Sequence, residues 1–560
     1  MTKPGLGTPA RPDPAWRLDL SAVPARVRLT WPVVFAAAGV ALLLVYLQLA
    51  RRVGFGSDGA VIAQQASDWL HGNPLLRGWL LPDISFYSIE IPEFAALEFI
   101  RGSVSPAILQ IGEALNLTLV VLLAALAAKG SATGREGVIR ALIAGGILFA
   151  PTPGPNGTLM LGNPDHLATQ IPLFAVWMLL DRARPRWWVP VTVAALLAWA
   201  RVNDAIVLLE AEIPLLLVCA TRVYRRRGSG ARGTRGTRGT WLRERWYDLS
   251  LAGAAIAAEG IALLVLRAVA TAGGFSAFPL KEIFAPVDQL YSHVWVTVES
   301  ALDLFGADFS GRTLKANTAL LIPVVHLAGV LLAAAATWYA VRRFFGNELM
   351  VQVLTVGAVT SLLAYTLLGN PTPGGGAHDL MPVLPIGAVL AGRLCAGPLI
   401  RYGVIPLLTV WLALSVAFLA HDVTRPVPAS PRLALATWLV NHHLRYGLGD
   451  YYIASQVSVD SDGQLMVAPV NRRGGRLVLS PWNSTTSWYN PAAHDATFFI
   501  ADQMQGCPGN DAALWLADAE RAFGPPDHTY SVAGVVVATW PGNLLLRQLA
   551  QVPVHRPSAC

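Results

Sequence analysis

The chain has 560 residues, 54% of them hydrophobic and 14% charged, with a mean hydropathy of +0.47. Soluble domains carry about 25% charged residues, so this composition argues against a soluble protein and for a polytopic membrane protein. The net charge of +7 would suit nucleic acid, but the basic residues mostly flank apolar spans. There they act as topological signals rather than as a binding face, which leaves no nucleic-acid partner.

Residues 1–30 are rich in Pro and Arg and lack the apolar core and small-residue cleavage site of a signal peptide; a cytoplasmic tail is expected. A bilayer is crossed by about 20 mainly apolar residues. Candidate spans are 31–50, 106–128, 138–152, 168–181, 187–200, 205–221, 249–271, 319–341, 349–368, 381–397 and 403–420. Three of these (138–152, 168–181, 187–200) are short, as helices are that stop early to line a cavity. Lys129, Arg135 and Arg140 follow the second span, Arg182, Arg184 and Arg186 the fourth, and Arg222, Arg225, Arg226 and Arg227 the sixth. Arg342 and Arg343 follow the eighth, and Arg393 and Arg401 mark the end of the tenth. The positive-inside rule makes these ends and the N-terminus cytoplasmic. Arg51 and Arg52, just outside the first span, break the pattern.

About eleven spans then put the C-terminus outside, and the large external stretches are 51–105, 153–170, 272–318 and 421–560. The expected organisation is a cytoplasmic tail (1–30), a transmembrane catalytic domain (31–420) and an extracytoplasmic C-terminal domain (421–560). Within the transmembrane part, 51–105 is the first external loop with interfacial helices and 222–247 a basic cytoplasmic loop. The Arg-Gly-Thr tract at 232–240 reads as a disordered linker drawn to anionic headgroups. In the tail, 477–479, 497–500 and 532–539 look like short strands bounded by Gly, Pro and Asn, and 514–523 like an amphipathic helix. The fold class is therefore mainly α, a helical membrane bundle with a small α/β domain.

Only four of the 42 basic residues are Lys, a bias that points to a GC-rich bacterial genome. Cys219 and Cys395 fall in apolar spans; Cys507 and Cys560 in the tail could pair in an oxidising compartment, and no metal-ligand cysteine pattern is present.

The residues suited to chemistry sit in the external loops. Asp58 follows the first span and opens an amphipathic loop. It can act as a helix cap or as a general base at the membrane surface, and the two roles are compatible. Trp69, Trp79, Phe86 and Tyr87 suit headgroup level. Asp83, Glu90 and Glu93 each read as solvated acids, with Asp83 and Glu90 also candidate substrate contacts. Asp165 and His166, after Asn163-Pro164, are residue types that bind a metal ion or a sugar hydroxyl. Arg201, between spans five and six, can pair with Asp204 or hold a lipid phosphate through its planar fork of donors. Glu210, Glu212, Glu259 and Arg267 lie in or near apolar spans, where ionisable groups are functional suspects. A Gly-rich loop (370–377) leads into His378-Asp379 and could cradle phosphate through backbone amides. In the tail, Tyr446, Tyr451, Tyr452, Trp482, Trp488 and Tyr489 form an aromatic set fit for sugar rings or for a buried core.

With those residues in place, the chain resembles the GT-C superfamily of polytopic glycosyltransferases, which use polyprenyl-phosphate-linked donors. The resemblance rests on Asp58 after span one, interfacial helices behind it, Asp165 in the second external loop, many spans and an external C-terminal domain. His378-Asp379-Leu380-Met381-Pro382 is similar to the Arg-Tyr-Leu-x-Pro stretch that enters a late helix in such enzymes, with His and Asp in place of Arg and Tyr. The resemblance implies transfer of a sugar from a polyprenyl-phosphate donor to a cell-envelope glycan, lipid or protein at the outer face of a bacterial plasma membrane. It implies Asp58 as base, Asp165 and His166 as substrate or metal contacts, and Arg201 or His378 as phosphate contacts. A divalent metal ion stays open as cofactor. The rival reading is a transporter or flippase with Glu212 and Glu259 as its working acids, and a third is an envelope scaffold that binds a partner through its tail.

Overall fold

The computed structural model describes residues 31–82, 84–229, 238–278, 284–310, 318–368, 376–501, 511–547 and 549. The bundle opens with α1 (Trp31–Val53), which turns into α2 (Ser57–Leu70) and, after a short strand β1 (Trp79–Leu81), α3 (Glu90–Arg101). There follow α4 (Pro106–Lys129), α5 (Gly134–Leu148), α6 (Pro155–Leu161), α7 (Gln170–Arg182), α8 (Trp188–Asn203), α9 (Ile213–Ser229) and α10 (Arg238–Thr271). Then come β2 (Ser276–Ala277), α11 (Leu290–Leu304), α12 (Thr318–Arg342), α13 (Leu349–Leu367), α14 (Val383–Arg401) and α15 (Ile405–Thr424).

Every expected span lies on a helix. Among the described residues, seven helices (α1, α4, α10, α12, α13, α14, α15) are long and apolar enough to cross a membrane by length and composition. The helices at the other four expected spans, α5, α7, α8 and α9, run from 13 to 17 residues; α9 is prolonged at its start by one π-helical turn, Leu208–Glu212. Apolar side chains such as Leu44, Leu264 and Leu331 project from the bundle exposed, as lipid-facing residues do. Part of the expected linker is helical instead: α10 begins at Arg238, inside the 232–240 tract, and residues 232–237 lie outside the described residues.

After α15 come α16 (Pro431–Asn441), β3 (Tyr446–Asp450), α17 (Tyr451–Asp460), β4 (Met466–Arg473), β5 (Arg476–Leu479), β6 (Ser484–Thr485), β7 (Phe498–Ala501), α18 (Ala512–Phe523), β8 (His528–Val532) and β9 (Val535–Thr539). Six of these strands form one mixed sheet in the order β5-β4-β3-β7-β9-β8, with β3 parallel to both neighbours. The strands at 477–479, 497–500 and 532–539 are present, the last as β9 and the turn that leads into it from β8. The central strand β3 went unread because Tyr-Gly-Leu-Gly-Asp looks like a turn and glycine is depleted in strands. Gly447 is required there: a Cβ would come within 2.4 Å of the Phe498 ring on the neighbouring strand.

One apolar core joins the segment between α1 and α4 to this sheet. Ala60, Ile62, Trp79, Ile91 and Phe94 pack in the same buried cluster as Leu448, Tyr451, Trp488 and Phe499. A small second sheet stitches the same parts together, with β1 parallel to β2 and antiparallel to β6.

Candidate active site at the mouth of the bundle

The α1–α2 corner sets the position of Asp58. The Gly56 amide donates to Gly162 O at 2.9 Å, and a Cβ on Gly56 would fall 2.1 Å from Asn163 Oδ1. That close approach brings the start of α2 against the loop that carries Asp165 and His166. Gly56 is the cap residue of α2, and no side chain caps the helix. Asp58 is therefore not spent as a cap; it lies half-buried in the first helical turn.

Its partner comes from the far end of the chain. Asp450 closes β3 and accepts from the Tyr452 amide at 3.2 Å, starting α17. This places Tyr451 at the carboxyl end of the central parallel strand, where open α/β sheets put their ligand sites. The buried Tyr451 hydroxyl donates to Asp58 Oδ1. Asn483 Nδ2 donates to the same hydroxyl at 3.3 Å, and Gln65 Nε2 donates to Asn483 Oδ1 at 2.6 Å. Burial, then the neighbouring Asp58 carboxylate, push the Tyr451 phenol well above its ordinary value, so it stays a proton donor.

On the other side of Asp58 lies a cluster of acids and imidazoles. Burial raises the half-buried Asp165 above the usual carboxylate range, opposed by His378 and His166 and reinforced by Asp58 and Asp379. His166 is buried, with Nδ1 2.6 Å from Asp204 Oδ2 and Nε2 3.8 Å from Asp379 Oδ1. Burial alone would lower the His166 pKa, but the Asp204 and Asp379 carboxylates outweigh it and hold the ring well above its ordinary value. His378 stands in the single helical turn Ala377–Leu380, its ring stacked 6.1 Å from that of His166 and its Nε2 3.4 Å from Asp379.

The sequence readings are thus drawn together only in part. Asp58, Asp165, His166 and His378 share one neighbourhood. Glu90 does not stand in solvent as expected: it is fully buried and accepts from Asn203 Nδ2 at 2.7 Å. Glu93 is half-buried and accepts from Asn116 Nδ2 at 3.0 Å. Burial pushes its carboxyl up to about 7. Arg201 does not pair with Asp204, which is taken by His166; its Nε lies 2.7 Å from Glu259 Oε2. The same ion pair engages one of the two acids on which the transporter reading rests. Asp83, residues 370–375, Cys507 and Cys560 lie outside the described residues. Asp204 was read only as a partner for Arg201, Tyr451 only as one of an aromatic set, and Asn483 and Gln65 carried no local signal at all.

Among the described residues no group of three His, Cys, Asp or Glu side chains is arranged to hold a metal ion. No metal-dependent step follows from the donor set.

No protein-family model and no curated protein matches the chain. Solved structures do. ArnT from Cupriavidus metallidurans in the apo state superposes with a TM-score of 0.52 at 15% identity, over 93% of this chain and 99% of that one. The same protein bound to undecaprenyl phosphate gives 0.51 at 14% identity, over 91% and 97%. An oligosaccharyltransferase from Archaeoglobus fulgidus, tethered to an acceptor peptide, aligns at 0.45 and 12% identity, over 90% of this chain and 74% of that one. The match to ArnT covers more than nine-tenths of this chain, helical bundle and C-terminal sheet together, so the chain shares the fold of ArnT.

Proposed function

We propose that the chain is an integral membrane glycosyltransferase that moves a sugar from a polyprenyl-phosphate-linked donor to an acceptor hydroxyl, with Asp58 as general base. The observation that carries this reading is the half-buried, uncapped Asp58 at the start of α2, near Asp165, which in turn lies among His166, His378 and Asp379, in a chain with the fold of ArnT. The lipid donor is supported by ArnT, whose structure holds undecaprenyl phosphate. Transfer takes place at the extracytoplasmic face of a bacterial plasma membrane, with a cell-envelope glycan, lipid or protein as acceptor.

The chemistry asks little of the protein beyond what this site offers. A polyprenyl phosphate is already a good leaving group, so one carboxylate suffices, unlike the carboxylate pair of most glycoside hydrolases. Tyr451 engages Asp58 Oδ1, and Oδ2 is the oxygen that takes the acceptor proton. A base so positioned contributes about 10²–10⁴-fold. His378, half-buried beside His166, donates to the phosphate as negative charge grows on it, and Asp165 accepts from a donor-sugar hydroxyl. Arg201 serves as a phosphate contact only if it exchanges Glu259 for the lipid.

The experiment is transfer of radiolabelled sugar from a panel of polyprenyl-phosphate donors by purified protein in lipid, beside Asp58→Asn. Transfer that disappears in the variant supports the reading. Wild-type protein that binds lipid yet transfers from no donor moves the case to a transporter, with Glu212→Gln and Glu259→Gln as the next variants.

A further inference from the structure

The helix that presents Asp58 also walls a cleft on another face. Gln64, Ser67, Asp68 and His71, spaced to lie along one side of α2, look across it to Ser458, Met466, Thr485, Ser487 and Trp488 of the C-terminal domain, over a volume of about 330 Å³. Such a volume is at the lower end of small-ligand pockets, roughly 300–1,000 Å³.

The lining has a consistent chemistry. Its floor is apolar: Val104, Leu465 and Met466, with the edges of Trp79 and Trp488, which meet edge to face with ring centroids 5.0 Å apart and are themselves 3% and 7% exposed. Its rim is hydroxyl and imidazole, with Ser487 and His71 exposed. Two acceptors in the lining are left over. Asp68 Oδ2 takes both the Trp79 indole N–H and Asn73 Nδ2, each at 2.7 Å, so Oδ1 is unused. Gln64 Oε1 is buried with no hydrogen-bond partner, a state that ordinarily costs about 1–3 kcal/mol. Spare acceptors over an apolar floor, with no Lys or Arg in the wall, do not suit a phosphate or an acidic peptide. They suit a neutral ligand that brings hydroxyl donors on one side and C–H groups on the other.

We infer that this cleft between α2 and the C-terminal domain binds a saccharide, the acceptor glycan of the reaction proposed above. The assignment as acceptor rests on that reading, whereas binding itself does not. Asp68 Oδ1 accepts from a sugar hydroxyl, Gln64 accepts from a second once its amide turns away from Met466 Sδ, and the edges of Trp79 and Trp488 meet the C–H side of the ring. Because one helix holds both Asp58 and the cleft wall, an oligosaccharide seated in the cleft is held in fixed relation to the base.

The test is saturation-transfer NMR on the full chain in lipid nanodiscs, with methyl α-D-glucopyranoside, methyl α-D-mannopyranoside and lactose as probes. Ser487→Trp fills the exposed rim, and Gln64→Leu removes the spare acceptor at nearly constant volume. Expected is saturation of at least one probe by the wild type, kept in Asp58→Asn and weakened about tenfold, or about 1.4 kcal/mol, in both cleft variants. Saturation of no probe, or equal saturation by wild type and both cleft variants, overturns the inference. Cleft-dependent binding in a protein that transfers no sugar keeps the saccharide site and sinks the transferase reading. Sugar transfer without cleft-dependent binding does the reverse.

Discussion

The Tyr451 hydroxyl donates to Asp58 Oδ1 across 393 residues of chain, tying the C-terminal domain to the start of α2. The bond is braced from both ends. Asp450 fixes the start of α17, and Asn483 and Gln65 fix the hydroxyl. The same apolar core underlies both partners, so removing the domain disturbs the carboxylate and not only a peripheral lobe.

Tyr451→Phe removes one hydrogen bond to a charged group and leaves the ring in place. Such bonds contribute about 1.5–3 kcal/mol, so kcat should fall by roughly 10- to 100-fold, while KM for the donor moves less than about threefold. Steady-state transfer kinetics check this. A variant with wild-type kcat would show that Tyr451 merely packs beside Asp58.

Gly56→Ala puts a Cβ onto the Asn163 side chain, where there is no room for it. Overpacking of this kind costs about 1–3 kcal/mol. The expected outcome is a lower unfolding temperature in detergent together with loss of transfer, since the Asp58 and Asp165 segments are pushed apart. Gly56→Ala with Asn163→Ala should recover part of both, and failure of that rescue would mean the contact does not position the site.

Glu93 gives stability a defined pH dependence. Its carboxyl is raised from an ordinary 4.5 to about 7 by burial, so the folded state holds the proton more tightly than the unfolded chain. The stabilisation is complete below about pH 4.5 and is lost as pH rises through about 7, a loss of about 3 kcal/mol across that window. Glu93→Gln should flatten the unfolding midpoint between pH 4.5 and 7 and raise it at pH 8. An unchanged slope would mean that other groups set it.

The expected spans fall on helices because an apolar run of fixed length leaves a local trace, and Asp58 drew notice as a carboxylate where such a run ends. The sequence picked out Asp165, His166 and His378 in segments between apolar spans, yet nothing in their spacing said that the rings of His166 and His378 stack. Glu90 and Glu93 were misread as solvated because polarity alone does not reveal that Asn203 and Asn116 wait inside to receive them. Arg201 illustrates the same limit, for its partner Glu259 is 58 residues away. Tyr451 was least legible of all. Its role comes from parallel pairing of a glycine-rich strand, a long-range event with no periodicity to read.

Asp204 and His166 offer the sharpest test of the buried electrostatics. Their side chains are 5% exposed or less and 2.6 Å apart, and the ring is held well above its ordinary pKa once the carboxylates outweigh burial. A raised imidazole stabilises the fold fully below its unfolded value of about 6.5 and loses that contribution as pH rises through the folded value. Asp204→Asn removes the counter-charge and leaves a buried imidazole that must either stay charged without its partner or lose its proton. Breaking such a pair costs about 3–5 kcal/mol, so Asp204→Asn should be markedly less stable than wild type at pH 6 and less different at pH 9. His166→Gln leaves the buried Asp204 carboxylate without its counter-charge, so it should also be markedly less stable than wild type at pH 6. Thermal unfolding of the two single variants and the double variant from pH 6 to 9 measures the coupling. Additive effects at pH 6 would mean that the two side chains are energetically uncoupled and that the pair does not stabilise the site.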